Sequence, residues 1–113
     1  MGFSDRLFGR QSVKVIGIIL FFLILSSCAS TSYYNLGSIY YVKGEYDKAI
    51  VDFTKAIEID PNGATAYKNR GFAYYAKKEY DRAWEDVYKA QALGIKVDSV
   101  FLNVLRNASG RHR

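Results

Sequence analysis

The stretch Tyr33–Pro61, YYNLGSIYYVKGEYDKAIVDFTKAIEIDP, returns 34 residues later as Tyr67–Ile95, YKNRGFAYYAKKEYDRAWEDVYKAQALGI. Tyr33/Tyr67, Asn35/Asn69, Gly37/Gly71, Tyr40/Tyr74 and Tyr41/Tyr75 match, as do Lys43/Lys77, Glu45/Glu79, Tyr46/Tyr80 and Asp47/Asp81. Ala49/Ala83, Asp52/Asp86, Lys55/Lys89 and Ala56/Ala90 continue the series, and Thr31/Thr65 brings it to 14 identities in one 34-residue window. A fixed period of this length is the signature of stacked helical units, each too small to bury its apolar face alone. Gly37 and Gly71 fall mid-helix, where glycine costs about 1 kcal/mol relative to alanine. Their presence predicts a close approach by a second backbone, with Ala49, Ala56, Ala83 and Ala90 as the small residues that permit it. Tyr33, Tyr40 and Phe53 then fill the flanking space as ridges fill grooves.

Within the first copy, Tyr33-x2-Leu36-Gly37-x2-Tyr40 is followed by Ala49-x3-Phe53-x2-Ala56 and by Pro61. This pattern resembles the tetratricopeptide (TPR) repeat, with tyrosine at the usual tryptophan position. The resemblance implies an all-α fold of two helical hairpins. The second copy departs from it at Arg70 for Leu36, Val87 for Phe53 and Ile95 for Pro61. Trp84, opposite Ile50, is expected to offset the loss of the phenylalanine.

Helices are predicted at about 31–43, 47–59, 64–77 and 81–93. Gly44 suits a helix terminus because glycine readily takes the left-handed conformation there. Asp60-Pro61 ends the second helix, since the residue before proline is pushed out of the helical region. Gly94 alone marks the end of the fourth. Asp98 is an expected N-cap for a last helix with Val100, Phe101, Val104, Leu105 and Ala108 on one face. That helix reads as a cap over the open end of the stack. The resulting plan is a leader at 1–27, a cysteine and short linker at 28–30, and repeats at 31–63 and 64–97. A capping helix at 98–108 and a basic tail at 109–113 complete it.

The net charge of +5 does not describe the repeats. Setting aside Arg6, Arg10, Lys14 and Asp5 leaves 13 basic against 10 acidic residues, and Arg106, Arg111 and Arg113 supply that excess. No basic stripe runs along a face, which argues against a nucleic-acid partner. The N-terminal segment is basic up to Lys14 and then carries eleven residues, Val15–Leu25, without a polar side chain. This is the form of a secretory signal peptide, and the run is short for a spanning helix, which needs about 20 apolar residues. Leu25-Ser26-Ser27-Cys28 after it resembles the lipobox of bacterial lipoproteins. That resemblance implies lipidation of Cys28 and a tether to the cell envelope. With Ala29 rather than aspartate next, it favours the outer membrane facing the periplasm. A conventional cleavage beside an ordinary cysteine, and an uncleaved signal anchor, are the alternatives. Cys28 is the only cysteine, so no intramolecular disulfide is open to it.

The residue inventory does not point to an enzyme. The single histidine, His112, is next to last, and no nucleophile–base set, metal-ligand spacing or phosphate loop is present. No cofactor is implied, and Glu85 and Asp86 read as a solvated face. The TPR resemblance implies instead a concave groove on the first helices of the two repeats, holding a peptide or partner helix. Its residues are Tyr34, Asn35, Ser38 and Tyr41, then Lys68, Asn69, Phe72 and Tyr75, with Val42 and Ala76 at the margin. Asn35 and Asn69 stack at the repeat spacing, and an amide that both donates and accepts suits a peptide backbone. The expected function is a membrane-anchored protein–protein adaptor. The alternative is a structural or assembly subunit of an envelope complex, packed by its helix faces. Two repeats and a cap fall short of the usual three, so marginal stability, relieved by a partner or by homo-oligomerisation, is expected.

Overall fold

The computed structural model describes residues 2–111, with side chains from Ser12 onward. His112 and Arg113 of the basic tail, and the side chains of Arg6 and Arg10, lie outside the described residues. Five helices follow in order: α1 Gly2–Val42, α2 Tyr46–Ile59, α3 Ala64–Ala76, α4 Tyr80–Ala92 and α5 Ser99–Ser109. No strand is present among the described residues. The fold is all-α, with hairpins α1–α2 and α3–α4 and a terminal helix, as the 34-residue register requires.

One boundary differs from the sequence expectation. The apolar segment, Cys28 and the first repeat helix form a single rod, with no linker at 28–30. Its 41 residues span about 60 Å at 1.5 Å per residue. Nothing between Lys14 and Val42 stops a helix once started, because there is no proline and Gly17 is the only glycine before Gly37. The Thr31 hydroxyl, placed to cap a new helix, instead donates to the Ser27 carbonyl one turn back at 2.9 Å. The portion Ser12–Val42 is long and apolar enough to cross a membrane by length and composition. The apolar run therefore gains length from its neighbours that the eleven-residue count did not include.

Packing follows the small-residue logic at the hairpin crossings. Ala49, Ala56, Ala83 and Ala90 are buried, with Phe53 and Val87 beside them. At Gly71 a Cβ would meet the Ala83 carbonyl oxygen and the Asp86 Cβ, both at 3.3 Å, so a backbone does come close there. At Gly37 the neighbour is different: a Cβ would lie 2.8 Å from the Phe53 ring. The first glycine makes room for an aromatic ring and the second for a helix backbone. Phe53 against Val87 explains the difference.

Four helices end in the same way. Gly44, Lys78, Gly94 and Gly110 all have positive φ, and each terminus carries the paired bonds of a Schellman motif. At the second, Lys78 N–H donates to Tyr75 and Glu79 N–H to Tyr74, both at 2.9 Å. At the third, Gly94 and Ile95 donate to Gln91 and Ala90. Lys78 is the only non-glycine residue in the set, at φ +63°.

Arg70 joins three helices. Its guanidinium donates to both Asp86 oxygens, at 2.7 and 2.8 Å, and to the Thr54 hydroxyl at 3.1 Å. The rings of Tyr67 and Tyr74 lie 5.6 and 5.8 Å from it. Asp86 is buried, which corrects the reading of Glu85 and Asp86 as a solvated pair; only Glu85 is exposed. The helical period puts consecutive residues on different faces, and Asp86 is the one that turns inward. Burial pushes its carboxyl up from the ordinary value, and the bonds from Arg70 pull it back in part. Burial works against the Arg70 charge too, but the Asp86 bonds and nearby tyrosines outweigh it and hold the guanidinium above its usual value.

The stack is also clasped at its far edge. Lys77, at the end of α3, reaches back to Asp47 in the first turn of α2, and also pairs with Glu79 at 2.8 Å. Its bond to Asp47, then that to Glu79, push the amine up to about 12. One repeat on, Arg111 reaches Asp81 at 2.8 Å in the same register.

The cap starts as expected, with the Asp98 carboxylate accepting from Val100 N–H at 2.6 Å. Its buried face is different. Leu105 is fully buried and Phe101 and Leu102 pack on the core, whereas Val100 and Val104 are 68% and 41% exposed and Ala108 is exposed. The helix is rotated because Trp84 anchors its far end: the indole N–H donates to the Ser109 hydroxyl at 3.0 Å. Trp84 does more than offset Phe53. It ties the cap to the second repeat, while Val97 plugs the core from the connecting loop.

Two variants test this packing in thermal unfolding of the full chain in detergent. Lys78→Gly should stabilise by about 0.5–1 kcal/mol, because relief of a left-handed side-chain residue exceeds the added backbone entropy. Arg70→Leu leaves Asp86 buried without a partner and should cost about 2–4 kcal/mol, most of it recovered in Arg70→Leu/Asp86→Leu. Equal melting of the two Arg70 variants would show that the ion pair is not what the fold senses there.

Candidate functional site

The first helices of the two hairpins, α1 and α3, carry the residues expected to line a groove. Spacing of three and four residues places Tyr34, Ser38 and Tyr41 along one side of α1, and Lys68, Phe72 and Tyr75 along the matching side of α3. The two rows are linked. Asn69 donates from its amide nitrogen to the Tyr34 hydroxyl at 2.9 Å, across the junction between repeats. The Tyr34 ring in turn leans on buried Phe53, with centroids 5.9 Å apart. Tyr34 and Asn69 are thus structural, their bond holding the two repeats in register.

Asn35 does not repeat the role of Asn69. It is exposed, and none of the described hydrogen bonds involves its side chain. The two asparagines share a sequence register but not an environment, because position 69 has a preceding repeat with a tyrosine to meet and position 35 does not. The Ser38 hydroxyl donates to the Tyr34 carbonyl of its own helix at 3.0 Å. Tyr41 packs on Tyr46 with centroids 5.5 Å apart. Burial first, and then the neighbouring Tyr46, push its phenol up, so it is a neutral donor across the physiological range. The Lys68 ammonium lies 5.9 Å from the centre of the Phe72 ring.

At the other end the groove meets the cap. Phe101 of α5 packs edge-on against Phe72, with centroids 4.3 Å apart, and against Tyr75 at 5.5 Å. Tyr75 also leans on Tyr80 at 5.9 Å. Phe72 and Tyr75 therefore hold the cap. The parts left free by internal contacts are Asn35, the outer faces of Tyr41 and Lys68, and the margin at Val42.

A cavity of about 260 Å³ opens beside Tyr34, lined by Ser30, Thr31, Gly63, Thr65 and Ala66. It lies between the start of the packed part of α1 and the turn into α3. Sequence reasoning assigned no role to these residues, although Thr31 and Thr65 were a matched pair and two hydroxyls at one repeat spacing were the available signal. The cavity walls are mostly apolar with hydroxyls at intervals.

Cys28 is exposed on α1. Contact with the folded body begins directly after it: Ala29 and Ser30 are half-buried, and the Ser30 hydroxyl donates to the Ala56 carbonyl at 3.1 Å. Among the described residues no three of His, Cys, Asp and Glu gather in a group that would hold a metal ion.

Comparison with known proteins agrees with this geometry. A family model described as TPR repeat matches residues 37–78, from the first glycine to the turn between α3 and α4. No curated protein matches the chain. The family match spans the hairpin junction and, with two hairpins stacked at a 34-residue period, it identifies the hairpins as TPR repeats, a repeat that mediates protein–protein interaction.

Proposed function

We propose that this chain is a membrane-tethered adaptor that recruits a protein partner through the α1–α3 groove. The observation that carries the tether is the Ser30–Ala56 contact. The packed body begins within two residues of Cys28, so a lipid on that sulfur would set the mouth of the groove at a membrane surface with no linker between. The lipobox-like Leu25-Ser26-Ser27-Cys28 supports the same reading, and Ala29 after the cysteine favours the outer membrane facing the periplasm. Two acyl chains already hold a protein stably on a bilayer, at about 0.8 kcal/mol per buried methylene. The groove would then meet a peptide or helix of a periplasmic partner with Asn35 and Lys68 as polar contacts and Tyr41 as an aromatic one. Tyrosine offers apolar area with a polar tip, a composition enriched at binding surfaces.

Metabolic labelling with palmitate should mark the wild type and leave Cys28→Ala unlabelled. Equal labelling of both ends the lipid reading, and an unlabelled wild type that stays in the membrane assigns anchoring to α1 as a retained span. For the groove, a photo-crosslinking residue at Asn35 or Tyr41 should capture one defined protein in the native envelope. Capture should be lost in Asn35→Ala/Tyr41→Ala/Lys68→Ala, with helicity unchanged by circular dichroism. These positions are chosen because they hold no partner across the stack. If capture survives that variant and is lost when Phe101 or Leu105 is changed, the chain is a structural subunit packed through its cap.

A further inference from the structure

The first hairpin repeats the second with one part missing. In the second, the Arg70 guanidinium sits between the rings of Tyr67 and Tyr74, on Asp86 and against Thr54 of the preceding helix. Stepping back 34 residues gives Tyr33, Tyr40 and Asp52, with Leu36 in place of the arginine. The surroundings repeat as well. Lys48 pairs with Glu45 and lies over Tyr40, as Arg82 pairs with Glu79 and lies over Tyr74. Lys55 lies over Tyr33 as Lys89 lies over Tyr67. Asp52 is only 6% exposed, yet it has no hydrogen bond or ion pair among the described residues. It lines a cavity of about 300 Å³ with Tyr40, Asp47, Lys48 and Val51. Its carboxylate oxygens keep contact with water through this cavity, and in the second hairpin a guanidinium takes that place on the matching aspartate.

The face around this cavity is the one that a preceding hairpin would cover. Arg70 and Ala73 turn toward the first hairpin and are half-buried and buried, whereas their mates Leu36 and Ile39 are 40% and 50% exposed. A second register points the same way. Lys77 meets Asp47 and Arg111 meets Asp81, each cation bonding an acid 30 residues earlier in the first turn of the preceding second helix. Lys43 opens that series and has no ion pair among the described residues. Asp47 meets Lys77 while Thr54 meets Arg70, so the helix on such a face runs antiparallel to the one it covers.

We propose that the open face of the first hairpin receives a helix of another protein, antiparallel to α1, with an acid in its first turn against Lys43. Seven residues further on, at the position held by Thr54 in the α2–α3 junction, it carries an arginine seated on Asp52 beside Tyr40. A guanidinium matches a carboxylate in two parallel bonds and stacks on ring faces, which a lysine does not do as well. In a second copy the two helices that present such a face within the stack are already covered, α2 by α3 and α4 by α5, so the helix comes from another protein. The site lies on the stacking edge rather than in the α1–α3 groove and does not depend on that groove being used.

The probe is a fluorescent helical peptide copying Tyr46–Ile59 with Thr54→Arg, titrated into the full chain in detergent. Saturable binding is expected, weakened at least tenfold by Asp52→Asn in the protein or by returning the peptide arginine to threonine, since each leaves a desolvated charge unpaired. Lys43→Glu should weaken binding several-fold and be restored by Asp47→Lys in the peptide. Leu36→Arg supplies the guanidinium from within; it should abolish binding and raise the unfolding temperature, so loss of binding there cannot be loss of fold. Equal affinity of wild type and Asp52→Asn, or unchanged binding by Leu36→Arg, overturns the proposal. Sedimentation showing a dimer that Asp52→Asn disperses would assign the face to a second copy and overturn it equally.

Discussion

Three helices from two repeats meet at the Arg70 guanidinium, which cannot be seated unless all three are in register. Asp86 fixes α4 to α3 within a repeat, while Thr54 fixes α2 to α3 between repeats. Such an arrangement holds only if the charges are shielded from water and fully bonded. The tyrosines on either side provide the shielding, and the small residues of the crossings bring the helices close enough for the bonds to form. Apolar packing supplies the driving force; the guanidinium selects one register from those that packing alone would permit.

The second organising feature is a ladder of ion pairs along the far edge, Asp47 with Lys77 and Asp81 with Arg111. Exposed pairs of this kind contribute little each, so their importance is geometric. They occur at the same place in successive junctions because the repeat copies charge along with shape. The cap takes part in this ladder through Arg111 although it lacks the glycine and tyrosine of a repeat. It is joined to the stack by the indole of Trp84, by Phe101, by buried Leu105 and by a cation in repeat register.

The cap takes up aromatic rings of the α1–α3 face. Phe101 uses the edges of Phe72 and Tyr75, and Asn69 spends its amide on Tyr34. What remains is shifted toward α1, the start of the packed body and the exposed Cys28. The two ends of the stack are therefore unlike. One is closed by a helix of the chain itself. The other presents Leu36, Ile39 and the Asp52 carboxylate, which has no ion pair among the described residues, a surface shaped by the repeat but not completed by it.

The amino-acid sequence by itself determined the repeat length, the helix order, the hairpin turns and the N-cap at Asp98, because these rest on local backbone preferences and on a register visible as identity. It also marked Gly71 as a place of close backbone approach. Only the tertiary structure decided what depends on which side of a helix faces a neighbour. Asp86 is buried and Glu85 is not; Asn69 is bonded and Asn35 is free; Phe101 and Leu102 turn inward while Val100 and Val104 do not. Adjacent residues on a helix are about 100° apart, so a small rotation set by one distant bond, such as Trp84 to Ser109, exchanges the buried and exposed sets. The fusion of the apolar segment to the first repeat helix was hidden for a related reason. Helix propagation is cooperative, and a serine-rich stretch that could start a helix continues one just as well when a formed turn lies on either side.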